Sequence, residues 1–281
     1  MFSPYYAWSG RGRPENHCAL NVALYGPRAR FGGPVAGLFT PWCRWAMTER
    51  PARAASRSSE RFQIGPSAVR WEDDALTIEI DETAVPHLSR VRGRVRIRPE
   101  TLGPETFSLA PEDRHCWRPI APSAPIEVDL ERPDLSWRGA GYLDSNWGSE
   151  GLEQGFRRWD WSRAALPGRE AAILYDAERR DGSALTLAIR AGSDGTLERF
   201  DPPPRRPLPK TLFGLHRGSQ AEAPVRETRR FEDAPFYARA ELETRLLGTD
   251  APAVHESLDL DRFSSFWVKT LLPWRMPRAQ F

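Results

Sequence analysis

Lysine is almost missing from this chain. Only Lys210 and Lys269 carry it, so 38 of the 40 cationic side chains are arginine, which we read as the mark of a GC-rich genome. A charge of one sign is missing too. Forty basic against 38 acidic residues leave a formal net charge of +2, and this excludes a dedicated nucleic-acid binder, which carries a clear basic excess. No apolar run is long enough for a membrane-spanning helix. Cysteine is scarce: Cys18, Cys43 and Cys116 are an odd, unpatterned set, which excludes a disulfide framework and points to a reducing cytosol. No paired Cys/His spacing offers a zinc site. Gly32-Gly33 lack the spacing of a phosphate loop, so neither a metal nor a nucleotide cofactor is expected. The opening MFSPYYAWSGRGRPEN lacks the basic-then-apolar order of a secretory signal.

What is present is punctuation and aromatic bulk. Twenty-one glycines and 26 prolines are spread along 281 residues and leave little room for long helices. Eleven tryptophans and 13 phenylalanines suit a large apolar site or a β-rich core. Period-two alternation recurs at Ser67–Trp71, Ala75–Ile80, Val91–Ile97, Thr106–Leu109, Ile126–Leu130, Ala171–Ala177, Ala184–Ile189, Phe236–Leu246 and His255–Leu260. In the Phe236–Leu246 run, Tyr237, Arg239, Glu241, Glu243 and Arg245 form the polar face and are expected to meet solvent. The pattern predicts an all-β protein of antiparallel strands. The length allows two units, which we divide at Gly155, giving 1–155 and 156–281. The Arg/Ala/Ser-rich stretch Arg50–Arg61 is expected to be mobile, and the glycine-rich Arg30–Arg44 reads as a loop or insertion.

One region concentrates chemistry: HCWRPI (His115–Ile120), GAGYLDSNWG (Gly139–Gly148) and RRWDWSRA (Arg157–Ala164). On a strand, residues two apart share a face, so Tyr142 pairs with Asp144 and His115 with Trp117. Two adjacent strands then aim His, Trp, Tyr and Asp into one cavity. A carboxyl group among aromatic rings is desolvated and stays protonated near neutral pH, while ring faces stabilise a cation on carbon. These are the needs of acid catalysis on an alkene. A plainer reading stands beside it: tyrosine and tryptophan on strands are most often packing residues, and a buried aspartate often only caps a turn. Among the other candidates, His17 and Asp160 read first as structural residues, and His87, His216 and His255 have no companions in the sequence. Cys116 and His115, adjacent on a strand, face opposite sides and make no dyad.

FSPYYAWSGRGRPENHCALNVALYGPRAR (Phe2–Arg30), RWAMTER, RFQIGPSAVRW, EDRHCWRPIAPSAPIEVDL, GYLDSNWG and LLPWRMPR (Leu271–Arg278) together resemble the acyclic carotenoid 1,2-hydratases of purple photosynthetic bacteria, over nearly the whole chain. The resemblance implies two lipocalin-like antiparallel β-barrels, the second opening at Trp159–Trp161. It implies cofactor-independent addition of water across the terminal C1–C2 double bond of an acyclic carotenoid such as neurosporene or lycopene. The family's acid maps onto Asp144 and its companions onto His115, Trp117 and Tyr142. Family members carry residues ahead of the FSPYYAWSG segment. The resemblance therefore implies either a misassigned start or a first barrel incomplete at its N-terminus. A non-catalytic lipocalin-like carrier of a lipid or carotenoid is the alternative. The expected partners are the carotenoid and water, with no nucleic acid. A cytoplasmic protein peripheral to the inner or intracytoplasmic membrane is the expected setting. Membrane contact is allotted to Trp274–Arg278, with Phe266–Leu272 expected as a last barrel strand.

Overall fold

The computed structural model describes residues 3–26 and 43–279. The proposed insertion at Gly32–Trp42 lies outside them. The fold is all-β, as the alternation requires. A hairpin of β1 (Asn21–Leu24) and β2 (Arg44–Met47) precedes the first large sheet. That sheet contains β3 (Ala55–Arg57), β4 (Arg61–Ile64), β5 (Ser67–Glu72), β6 (Ala75–Ala84), β7 (Ser89–Ile97), β8 (Phe107–Ser108), β9 (His115–Arg132) and β10 (Leu135–Gly148). Its order is β10-β9-β7-β6-β5-β4-β3, with β8 paired to β9 and every pairing antiparallel.

The chain changes sheet between Gly148 and Phe156, across a short helix α2 (Leu152–Gly155) that follows α1 (Pro4–Trp8) in chain order. The second sheet uses β11 (Phe156–Ala165), β12 (Ala171–Arg179), β13 (Ala184–Ala191), β14 (Leu197–Arg199), β17 (Arg226–Asp233), β18 (Tyr237–Leu246) and β19 (Thr249–Asp259), while β15 (Arg205–Pro207) and β16 (Gly218–Gln220) form a separate hairpin. Its order, β14-β13-β12-β11-β19-β18-β17, sets the first strand of this part beside the last. Helices α3 (Leu260–Ser264) and α4 (Phe266–Leu271) follow.

Two sequence expectations fail here. Arg50–Arg61, expected to be mobile, carries regular structure: a 3-10 turn at Ala52–Ala54, then β3 and the start of β4. The final strand expected at Phe266–Leu272 is helical. Val268 and Leu272, four apart, are buried while Phe266 and Trp267 face out, which is a helical period and not an alternating one. Among the described residues no helix is long and apolar enough to cross a membrane.

Burial explains how the parts hold together. The β1–β2 hairpin lays Val22, Leu24 and Ala46 on Ile80, Val91, Val128 and Leu130 of the first sheet. The largest apolar cluster belongs to neither sheet alone. It joins Phe107 and Trp117 to Phe156, Trp161, Tyr175, Leu258 and Phe263. A charged pair lies inside the first part: Arg50 donates to Glu82 at 2.8 Å, and the Ser67 hydroxyl donates to the other Glu82 oxygen at 2.7 Å. Glu82 is fully buried. Removing one member of a buried pair strands the other's charge. We therefore expect Glu82→Ala to lower the unfolding free energy by about 3–5 kcal/mol in urea denaturation. The double variant Arg50→Met/Glu82→Leu should recover most of that loss.

Candidate active site

The long antiparallel pair β9–β10 carries the first wall. Register sets Asp144 opposite Pro119, Asn146 opposite Trp117 and Gly148 opposite His115. A register shift between Leu143 and Asp144 re-aims this end of β10. Trp117 donates its indole N–H to Asp144 Oδ2 at 2.9 Å, and the Tyr142 hydroxyl donates to the same oxygen, also at 2.9 Å. The indole nitrogen lies 3.3 Å from the Tyr142 oxygen as well, so one proton serves both. Asn146 Nδ2 stands at 3.5 Å from Oδ2. All three donors are neutral and all three meet one oxygen.

The second wall is a cross-strand row. Leu187 on β13 pairs with Tyr175 on β12, Tyr175 with Trp161 on β11, Trp161 with Glu256 on β19, and Glu256 with Arg239 on β18. Directly opposed residues present their side chains on the same face, so this row faces the first wall together. Tyr142 packs on Trp161 with ring centroids 5.2 Å apart, and Trp117 meets Tyr175 edge-on at 5.0 Å. Tyr175 donates to Asn146 Oδ1 at 3.3 Å, which ties the walls across the cleft. Trp117 is fully buried, whereas Asp144 and Glu256 are only partly so.

Burial pushes the Asp144 carboxyl above its usual value, against the donors Trp117, Tyr142 and Asn146 and the more distant positive charge of Arg239, all of which favour the anion. Burial also raises the hydroxyls of Tyr142, Tyr175 and Tyr237 well above the ordinary phenol value, so they remain donors. Glu256 is likewise raised by burial, opposed by Arg239, which pairs with it at 2.6 Å, and by its bond to Tyr237.

Of the four residues singled out in the sequence, the fold brings Trp117, Tyr142 and Asp144 into contact and sets His115 elsewhere. His115 points the same way as Trp117, but its register partner lies four residues from Asp144, about 13 Å along the strand. Its ring is buried against Phe156 at 5.0 Å, with Nε2 3.4 Å from Glu150. Burial holds the imidazole below its usual value despite Glu150. Two glycines make its slot: a Cβ on Gly148 would stand 2.7 Å from Nδ1, and one on Gly155 2.8 Å from Cδ2. Rings then run without a break from His115 through Phe156, Trp159 and Tyr175 to Trp117 and Phe107.

Sequence reasoning singled out the segment carrying Trp161 but missed the rest of the second wall. The polar face of β18 was expected to meet solvent, yet Tyr237 and Arg239 turn towards the first part of the chain, and only Glu243 and Arg245 are exposed. A tyrosine leading a charged face next to Arg239 was the available signal. His255 also has companions: it is buried 3.0 Å from Ser257 Oγ and 3.5 Å from Asp160, on the opposite face of the sheet. His17 lies buried 2.8 Å from Glu49 and takes no part in this cleft. Cys116 turns away from Trp117 and donates to the Asp113 carbonyl, as expected. Among the described residues no group of three or more His, Cys, Asp or Glu is arranged to hold a metal ion.

A carboxyl whose value is raised by folding links stability to pH with a definite sign. The raised Asp144 value makes its contribution fully present below the unfolded-state value, and that contribution is lost as pH rises through the folded-state value. The stability of the wild type relative to Asp144→Asn, followed by thermal melts, should therefore fall as pH rises from the ordinary carboxylate range towards neutrality and then level off. A difference that grows with pH would contradict the raised value.

Comparison with known proteins gives this cleft its context. The family model described as carotenoid hydratase CrtC matches residues 1–281. An acyclic carotenoid 1,2-hydratase of Thiocapsa roseopersicina is 49% identical over 99% of this chain and 67% of its own length. That of Rubrivivax gelatinosus is 44% identical with the same coverage. That of Cereibacter sphaeroides is 39% identical over 99% of this chain and 95% of its own. No solved structure matches the chain significantly. A match along the full chain and several relatives above one-third identity establish the kinship: the chain belongs to the carotenoid hydratase family of hydro-lyases.

Proposed function

We propose that this protein adds water, without a cofactor, across the terminal C1–C2 double bond of an acyclic carotenoid such as lycopene or neurosporene, with Asp144 as the acid between units 1–155 and 156–281. The observation that carries the reading is the Asp144 carboxyl itself. It is lifted by burial and bonded through Oδ2 to neutral donors only. With Oδ2 engaged by the donors, Oδ1 is the oxygen left to carry the proton. Protonation of C2 leaves a tertiary cation at C1, the more substituted carbon. The faces of Trp117, Tyr142, Trp161 and Tyr175 stabilise it by about 0.5–2 kcal/mol each. The same rings exclude bulk water, so that one water entering at the carboxyl end captures the cation.

His115 takes a positioning role in this scheme. It closes the far end of the ring chain beside Phe156 and is too distant to receive the water's proton. The relatives' names, each an acyclic carotenoid 1,2-hydratase, support the substrate class. Purified protein given lycopene in detergent should yield a product heavier by one water, read by mass spectrometry. Asp144→Asn should abolish that product and still bind the carotenoid. Wild-type turnover in Asp144→Asn would remove it as the acid. Carotenoid binding with no mass gain in the wild type would mark a carrier.

A carotenoid dissolves in membrane, and one surface suits delivery from it. Phe266 is 81% exposed and Trp274 79%, with Trp267 and Leu271 half-exposed between them. Lys269 and Arg275 flank these side chains, a mixture of aromatic and basic groups that suits an anionic bilayer surface. The protein should sediment with anionic vesicles, and Phe266→Ser/Trp267→Ser/Trp274→Ser should not. A wild-type protein left in the supernatant ends the docking proposal.

A further inference from the structure

Hydration needs two proton transfers, and Asp144 accounts for one. A proton must also leave the water as its oxygen bonds to C1. The second wall carries a group suited to that task. Glu256 sits in the row that faces Asp144, directly beside Trp161 across the β11–β19 ladder, and Trp161 is the ring on which Tyr142 packs. Its side chain keeps 23% exposure within the cleft, so water reaches it. Arg239 pairs with it at 2.6 Å and, together with Tyr237, favours its anion against the burial that raises the carboxyl. Asp144 is close enough that its charge acts on Glu256.

We propose that Glu256 is the base of the reaction, taking the proton that the attacking water releases. This rests on the reading of Asp144 as the acid. The step balances. The Asp144 O–H bond breaks and a C2–H bond forms from the alkene π electrons. A lone pair of water then forms the C1–O bond, and one water O–H bond breaks as its proton passes to the Glu256 carboxylate. The cycle ends with Glu256 protonated and Asp144 ionised, and a proton passed from Glu256 to Asp144 through cleft water restores both. Nothing is oxidised or reduced. The geometry puts donor and acceptor on opposite walls, so water meets the cation from the side away from Asp144. Burial favours the protonated product on Glu256, while Arg239 favours the carboxylate beforehand.

The test separates proton donation from water capture. Full-length protein is given lycopene in detergent in D2O, and both the hydrated product and the recovered alkene are weighed. In Glu256→Gln, hydration should fall at least about 100-fold, the scale of a lost general base. Deuterium should still enter the recovered alkene, because Asp144 delivers it to C2 and takes a proton back. Glu256→Asp keeps the charge and the Arg239 pair but withdraws the carboxylate by one methylene. It should hydrate more slowly with exchange intact, and it decides the matter if Glu256→Gln does not fold. Wild-type hydration in either folded variant overturns the proposal. So does loss of exchange along with hydration, which would make Glu256 a positioning residue for Asp144. Failure of the underlying reading looks different: Asp144→Asn would then still hydrate and exchange.

Discussion

A carboxyl group bonded only to neutral donors, among rings, has poor surroundings for a negative charge. That constraint governs the cleft. Three donors do favour the Asp144 anion, but none brings a full charge to it, and desolvation outweighs them. Arg239 is the nearby cation that acts on it, and Glu256 pairs with Arg239 directly. The ion pair on one wall therefore limits how far a positive charge can ionise the acid on the other.

The packing serves the same end. The largest apolar cluster is shared between the sheets, so the surface that dries Asp144 comes from strands far away in sequence. Trp117 is fixed by Phe107 on its own sheet and by Tyr175 on the other. Asn146 touches Asp144 with its amide nitrogen and Tyr175 with its carbonyl, joining the walls through one side chain. Polar groups in such a place are tolerable only when each finds a partner, and here most do.

Much of this was legible in the sequence, for a physical reason. Period-two alternation is written locally, so strands such as β6, β12, β13 and β18 could be read from their own residues. The Tyr142–Asp144 relation needs only two residues on one strand. What the sequence hid depends on pairing between distant strands. His115 was assigned to the same cavity because it shares a face with Trp117, but the β9–β10 register carries it beyond reach of Asp144. Glu256 and Arg239 were concealed by the opposite error. A charged face reads as solvent-facing, and Tyr237 at its head is the one local sign within β18 that half of that face is covered. The terminal helix was misread because a segment of 6 residues, most of them apolar, is too short to distinguish one period from another.

The seam between the sheets has an architectural consequence. Residues up to Gly148 supply Asp144, and residues from Phe156 onward supply many of the apolar side chains clustered with Trp117 and Tyr142. Cut apart there, the earlier piece would keep the three donors to Asp144 but lose the rings of Trp161 and Tyr175 that pack on them. The later piece would hold a greasy slab with an ion pair on it. The unusual acidity belongs to neither fragment and exists only in their apposition.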